Sequence, residues 1–180
     1  MILYKTKYLT LMAAKREDKP DWVYVRRDNA KNVVVILPVF KKSNGEYVMF
    51  LITKRPPLIE EKISEFSIEL PAGLVGDENE NETLMEAAKK ELLEETGYRA
   101  DLFEICAKKV STSGGLTSEV STILKAFIAS DNVCQTPVND GGVIVDRVLI
   151  KKENIKAFLN KKEKEGYSLS AQTLAALYYL

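Results

Sequence analysis

A chain of 180 residues, 46% hydrophobic and 29% charged, is long enough for one domain with a real core and too short for two ordinary ones. Its 26 basic and 26 acidic residues cancel, leaving no global basic footprint of a nucleic-acid binder, and no apolar run approaches the ~20 residues a membrane span needs. Histidine is absent, which excludes histidine-dependent nucleophilic triads, H-E-x-x-H zinc sites and histidine pH switches.

The N-terminal stretch MILYKTKYLTLMAAKRED alternates apolar with polar residues and has no uninterrupted apolar centre, so it does not read as a signal peptide. Residues 2–14 and 22–27 read as strands, with KREDKPD as the turn between them. KNVVVILPVFKK is nearly continuously apolar and predicts a central strand. Ser43-Asn44-Gly45 then turns the chain into EYVMFLITKR, the strongest short hairpin signal available. Pro56 and Pro57 end that strand, 60–64 reads as loop, and FSIEL as a short strand running into Pro71-Ala72-Gly73. After a polar loop over 74–81, the spacing predicts a helix from Glu82 to Thr96, stopped by Gly97. Strands are expected at 101–110, 119–129 and 143–150, then helices at 152–164 and 168–179. This order suits an α/β fold with a mixed sheet between helices rather than regular βαβ alternation. Cys106 and Cys134 have no metal-ligand spacing and read as two reduced thiols on strands, as expected of a cytoplasmic protein.

The zero charge hides unlike parts. Residues 77–95 carry a net −6, while 1–31 and 147–165 each carry +4. On a helical wheel of about 100° per residue, Leu84, Met85, Ala88 and Leu92 form the core-facing stripe. Glu95 falls inside that stripe, Glu91 on its edge and Glu94 beside them, whereas Leu93 points away. Acids one turn apart repel, and a carboxylate at a core margin is costly unless paired. A hard divalent cation relieves both penalties; a solvated charged helix is the alternative.

The chain reads Gly76, five residues, Glu82, seven residues, then Lys90-Glu91-Leu92-Leu93-Glu94-Glu95-Thr96-Gly97-Tyr98. This resembles the Nudix hydrolase signature G-x5-E-x7-R-E-U-x-E-E-x-G-U, where U is a bulky apolar residue. Lys90 replaces the family's arginine and loses its bidentate fork, and Tyr98 takes the last apolar position. Glu69-Leu70-Pro71-Ala72-Gly73 also resembles the family's approach to its first glycine, which favours Gly73 over Gly76 as the structural equivalent. The resemblance implies an α/β/α sandwich around a mixed sheet. It implies Mg²⁺ or Mn²⁺ held by Glu91 and Glu95, with Glu94 and the Ala72 carbonyl contributing, and Glu82 orienting the loop or Lys90 or binding the metal through water.

Residues 2–27, Lys54-Arg55-Pro56-Pro57 and Ser113-Gly114-Gly115-Leu116-Thr117-Ser118-Glu119 resemble the ADP-ribose and nucleoside-diphosphate-sugar pyrophosphatase branch, though Gly114 stands where that branch has proline. The resemblance divides the chain into an N-terminal β segment, 1–31, serving as a dimerisation arm, and a hydrolase domain, 32–180. It implies a homodimer that cleaves the diphosphate of ADP-ribose or a related nucleotide sugar. With no histidine, the proton acceptor is a carboxylate, and Glu94, Glu119 and Asp140 all remain open. Arg27 and Arg55 can offer forks to a diphosphate or serve in surface salt bridges, Glu69, Gly115 and Leu116 are expected on the substrate side, and Trp22 can stack on a base across a dimer interface or pack as a buried hairpin or dimer aromatic. Triphosphate or dinucleotide hydrolysis, and a nucleotide sensor without turnover, stay as alternatives.

Overall fold

The strand Asn32–Lys42 (β4) organises the molecule in this computed structural model, which describes residues 1–129, 134–137 and 143–180. It pairs in parallel along its length with Val120–Ala129 (β9). On its other side two shorter strands share it. Ala72–Val75 (β7) runs antiparallel to residues 32–35, and Gly45–Thr53 (β5) to residues 39–42. Pro38 sits at the hand-over between these two partners, where a missing N–H interrupts neither ladder on that side. Among the described residues the main sheet has eight strands. Its central path includes Ser67–Glu69 (β6), Leu102–Ser111 (β8) and Ser168–Leu169 (β11) in the order β11-β6-β5-β4-β9-β8, while Ile144–Lys151 (β10) pairs with β5.

Strand alternation divides the core between two faces. Val34, Ile36 and Phe40 face the helix Leu84–Thr96 (α2), meeting Ala87, Ala88 and Leu92. Val33, Val35, Leu37 and Val39 face the opposite layer, where Ile155–Lys164 (α3) and Ala171–Leu177 (α4) contribute Ile155, Leu159 and Ala176. The result is the expected α/β/α sandwich around a mixed sheet.

Several boundaries differ from expectation for local reasons. The single strand expected over 2–14 is two strands, Ile2–Lys5 (β1) and Leu9–Ala14 (β2), because the Thr6 hydroxyl accepts from the Tyr8 and Leu9 amides and turns the chain. With Trp22–Arg27 (β3) they form a separate three-stranded antiparallel sheet. The two prolines end β5, then start a short helix, Pro56–Glu60 (α1), where their missing donors cost nothing. Leu74 and Val75 belong to β7 rather than to the loop. Glu82 lies outside α2, which begins after Thr83 because Thr83 and Glu86 form a reciprocal capping box. A 3₁₀ turn, Lys152–Asn154, precedes α3, and the expected last helix gives up Ser168 and Leu169 to β11, with Ser170 as the cap of α4. Cys106 lies on β8, but Cys134 is exposed and outside any strand.

Candidate active site

The acidic helix is fixed at both ends. Thr83 caps its first turn, and Gly97, left-handed at φ 80°, closes its last turn by donating its amide to the Leu93 carbonyl. Leu92, fully buried, sets the rotation of the helix, and that rotation turns Glu91 and Glu95 toward β7. The Ala72 amide donates to the Glu95 carboxylate at 3.0 Å. At the next residue, a Cβ on Gly73 would lie 2.0 Å from the Glu91 carboxyl carbon. Any side chain at residue 73 would force the Glu91 side chain out of this position. Two carboxylates therefore meet consecutive residues of one strand.

Burial pushes the Glu91 carboxyl up to about 7; Lys90 opposes the shift, while Glu94, Asp77 and Glu82 add to it. Glu91 receives no hydrogen bond among the described residues. Hard oxygen donors, half-buried and carrying an unrelieved charge penalty, fit a hard divalent cation better than a soft one. Among the described residues, no three acidic or cysteine side chains already converge on one point. The fit therefore rests on the Glu91 and Glu95 pair, with Glu94 half-buried on the same turn of α2.

Gly76 and Gly73 divide the work that the signature glycine suggested. Gly73 gives Glu91 room, whereas Gly76, at φ 82°, turns the chain and donates its amide to Glu82 at 3.0 Å. Glu82 thus orients the loop. Lys90 does not meet Glu82 but pairs with Glu78 at 2.6 Å.

A second group assembles around the N-terminal sheet. Arg27 donates to Glu119 at 3.0 Å. The Trp22 indole donates to the Gly115 carbonyl at 2.9 Å, and the Val25 amide to the Leu116 carbonyl at 2.7 Å. Trp22, Arg27, Gly115, Leu116 and Glu119 are therefore brought together within one chain. Arg27 and Glu119 line a cavity of about 200 Å³ with Arg26, Lys31 and Asn32. Trp22 remains 46% exposed, with the Arg16 guanidinium 5.1 Å from its ring. Arg55 holds Glu69 with a bidentate fork, in which Nε lies 3.0 Å from both carboxylate oxygens. Asp140 lies outside the described residues.

One residue escaped sequence reasoning. Arg147 donates from Nε to the carbonyl of Glu95, in the last turn of α2, where carbonyls lack helical partners and the dipole is negative. The alternation of β10 carried the signal: Arg147 shares a face with Leu149, which packs on the α2 side of the sheet.

A profile of the NUDIX domain matches residues 30–163. The chain is 28% identical over 143 residues to an uncharacterised Nudix hydrolase of Schizosaccharomyces pombe, covering 78% of this chain and 66% of that protein. It is 26% identical over 155 residues to an ADP-sugar pyrophosphatase of Mus musculus, covering 84% and 67%. The chain spans about two thirds of the length of these relatives. A crystal structure of an ADP compounds hydrolase shares the fold, with a TM-score of 0.65 at 16% identity over 99% of this chain and 87% of that one.

Proposed function

The chain belongs to the NUDIX domain family, and from that premise we propose that it is a metal-dependent hydrolase of ADP-ribose or a related nucleoside diphosphate sugar, releasing a nucleoside monophosphate and a sugar phosphate. The observation that carries this reading is the placement of Glu91 and Glu95 against Gly73 and Ala72. A solvated helix has no reason to turn two like charges inward, nor a strand to leave out a Cβ for one of them. Glu91 and Glu95, with Glu94 and the Ala72 carbonyl, would hold Mg²⁺ or Mn²⁺. Once bound, the ion neutralises charge developing on the diphosphate.

The remaining roles fall to the chain's own groups. Of the two candidate proton acceptors among the described residues, Glu94 and Glu119, the latter lines a cavity with cations able to hold phosphate, Arg26, Arg27 and Lys31. Its ion pair with Arg27 holds the carboxylate in one place. Arg55, held in one orientation by Glu69, is a diphosphate contact in this reading. The Trp22 and Val25 bonds fasten the Gly-rich loop bearing Glu119, so the N-terminal sheet shapes the substrate side. That sheet also turns Ile2, Leu3, Tyr4, Leu9 and Val23 to solvent, which supports a homodimer formed through residues 1–31 of a second copy. The nucleotide-sugar choice draws on the mouse ADP-sugar pyrophosphatase.

The test is incubation of the purified chain with Mg²⁺ and a panel of nucleotide sugars, dinucleotides and triphosphates, following phosphate-bearing products. Turnover of ADP-ribose or a related sugar is expected. Tight nucleotide binding without turnover of any of them would replace the enzyme with a sensor. Light scattering on the same sample checks the dimer.

A further inference from the structure

Behind the catalytic edge of α2 lies a second cavity, of about 370 Å³, formed by Lys89, Lys90, Leu93, Arg99, Ala100 and Phe103. Its size falls within the range of small-molecule sites. Lys89 and Leu93 are one turn apart and Lys90 lies between them, so all three belong to one face of the helix. Glu91 and Glu95 turn the other way, toward β7. The cavity is thus a separate place from the proposed active site.

Its chemistry is divided. Leu93, Ala100 and Phe103, all partly buried, make an apolar floor. Three cations surround it, and their partners differ. Lys90 is held by Glu78. Glu86, the acid one turn before Lys89 and Lys90, is occupied by Thr83 in the capping box. Lys89 and Arg99 are exposed and make no ion pair within 4.0 Å among the described residues, although Lys89 lies near enough to Glu86 to help the Thr83 bonds hold that carboxyl below its usual range. Two exposed cations without a salt bridge among the described residues, beside a small apolar floor containing one aromatic ring, ask for a ligand of matching construction. That ligand has a flat apolar body and one compact anionic group within reach of an ammonium and a guanidinium fork.

We propose that this cavity binds a nucleoside monophosphate, with the base on Leu93 and Phe103 and the phosphate between Lys89 and Arg99. A macromolecular partner fits less well, because the apolar floor is confined to three side chains. The occupant would bridge α2 to the segment that follows its C-terminus. This inference stands apart from the proposed activity, because it needs neither metal nor turnover.

The test is a titration of ¹⁵N-labelled protein with AMP in the presence of a metal chelator. Amide shifts are expected at Lys89, Leu93, Arg99 and Phe103. The double variant Lys89→Glu/Arg99→Glu, altered at two exposed positions, should bind AMP at least about tenfold more weakly while keeping its circular dichroism and melting temperature. Adenosine and inorganic phosphate alone should each bind more weakly than AMP. The proposal is overturned if these amides do not move, if the variant binds like the parent, or if phosphate alone matches AMP. Failure here leaves the hydrolysis assay untouched, and loss of turnover there leaves this titration untouched.

Discussion

The acidic helix and the N-terminal sheet are assembled by opposite means. Around α2, most of what orients Glu91 and Glu95 comes from residues 72–97, with the Thr83 cap, the buried Leu92, the Gly97 stop and the Gly73 opening, while β4 packs on Leu92 and Arg147 holds the Glu95 carbonyl. Around β1–β3, large apolar side chains face outward and the sheet is held to the domain by polar bonds from β3 to residues 115–119. One region turns charge inward and the other turns apolar surface outward. Each suits the proposed function, which pairs the first with an ion and the second with a second copy of the chain.

The largest expected effect breaks the first region at its charge. Glu95→Gln should lower kcat by about 10²–10³, on the scale of removing one electrostatic contact to a transition state, with the melting temperature retained. A parent-like rate would remove Glu95 from the metal set. Leu92→Ala should destabilise by about 2–5 kcal/mol in urea unfolding, because a fully buried side chain that fixes helix rotation leaves a cavity. Losses confined to activity would mean that the helix is held elsewhere.

Glu91 provides a pH test. Its carboxyl is raised by burial from 4.5 to about 7, so the folded state keeps a proton that the unfolded chain has already released. Metal-free protein should therefore lose stability as pH rises from about 4.5 to about 7. We expect about 1–3 kcal/mol of that loss to vanish in Glu91→Gln, after allowing for the partial exposure of the group. Identical pH profiles for parent and variant would refute the penalty assigned to this carboxylate. Thr83→Ala should cost about 1 kcal/mol in the same measurement, through the lost cap.

The smallest effect sharpens the second region. Trp22→Phe removes one hydrogen bond to Gly115 and keeps most of the ring, so global stability should change by about 1 kcal/mol or less. If β3 fastens the Gly-rich loop, KM for a nucleotide sugar should nevertheless rise. An unchanged KM would make the N-terminal sheet a bystander to substrate binding.

The same contrast explains what could be read from residues alone. The helix, its inward acids and the glycine before them are local in sequence, and a 3.6-residue period with fixed spacings reports them directly. The turn at Thr6 was missed because a threonine inside alternating residues also suits a strand; only its hydroxyl bonds to Tyr8 and Leu9 reveal the break. The Arg27–Glu119 pair and the Arg147 contact with Glu95 join distant parts of the chain, and no periodicity carries such pairings. Both residues of the first pair were legible as candidates. Their partnership was not.

The parallel pairing of β4 with β9 has a kinetic consequence. A newly made chain can close the β4–β5 hairpin early, because its turn is two residues long. Val33 must then wait for Ser121, and Ser67 for Ser168, before the sheet is complete. Loop closure over such separations is slow relative to hairpin formation. The helix bearing Glu91 and Glu95 therefore leaves the ribosome well before the C-terminal layer can cover the opposite face of its sheet. Refolding of this protein should be limited by that late parallel closure, and destabilising β9 should slow it more than destabilising the β4–β5 turn.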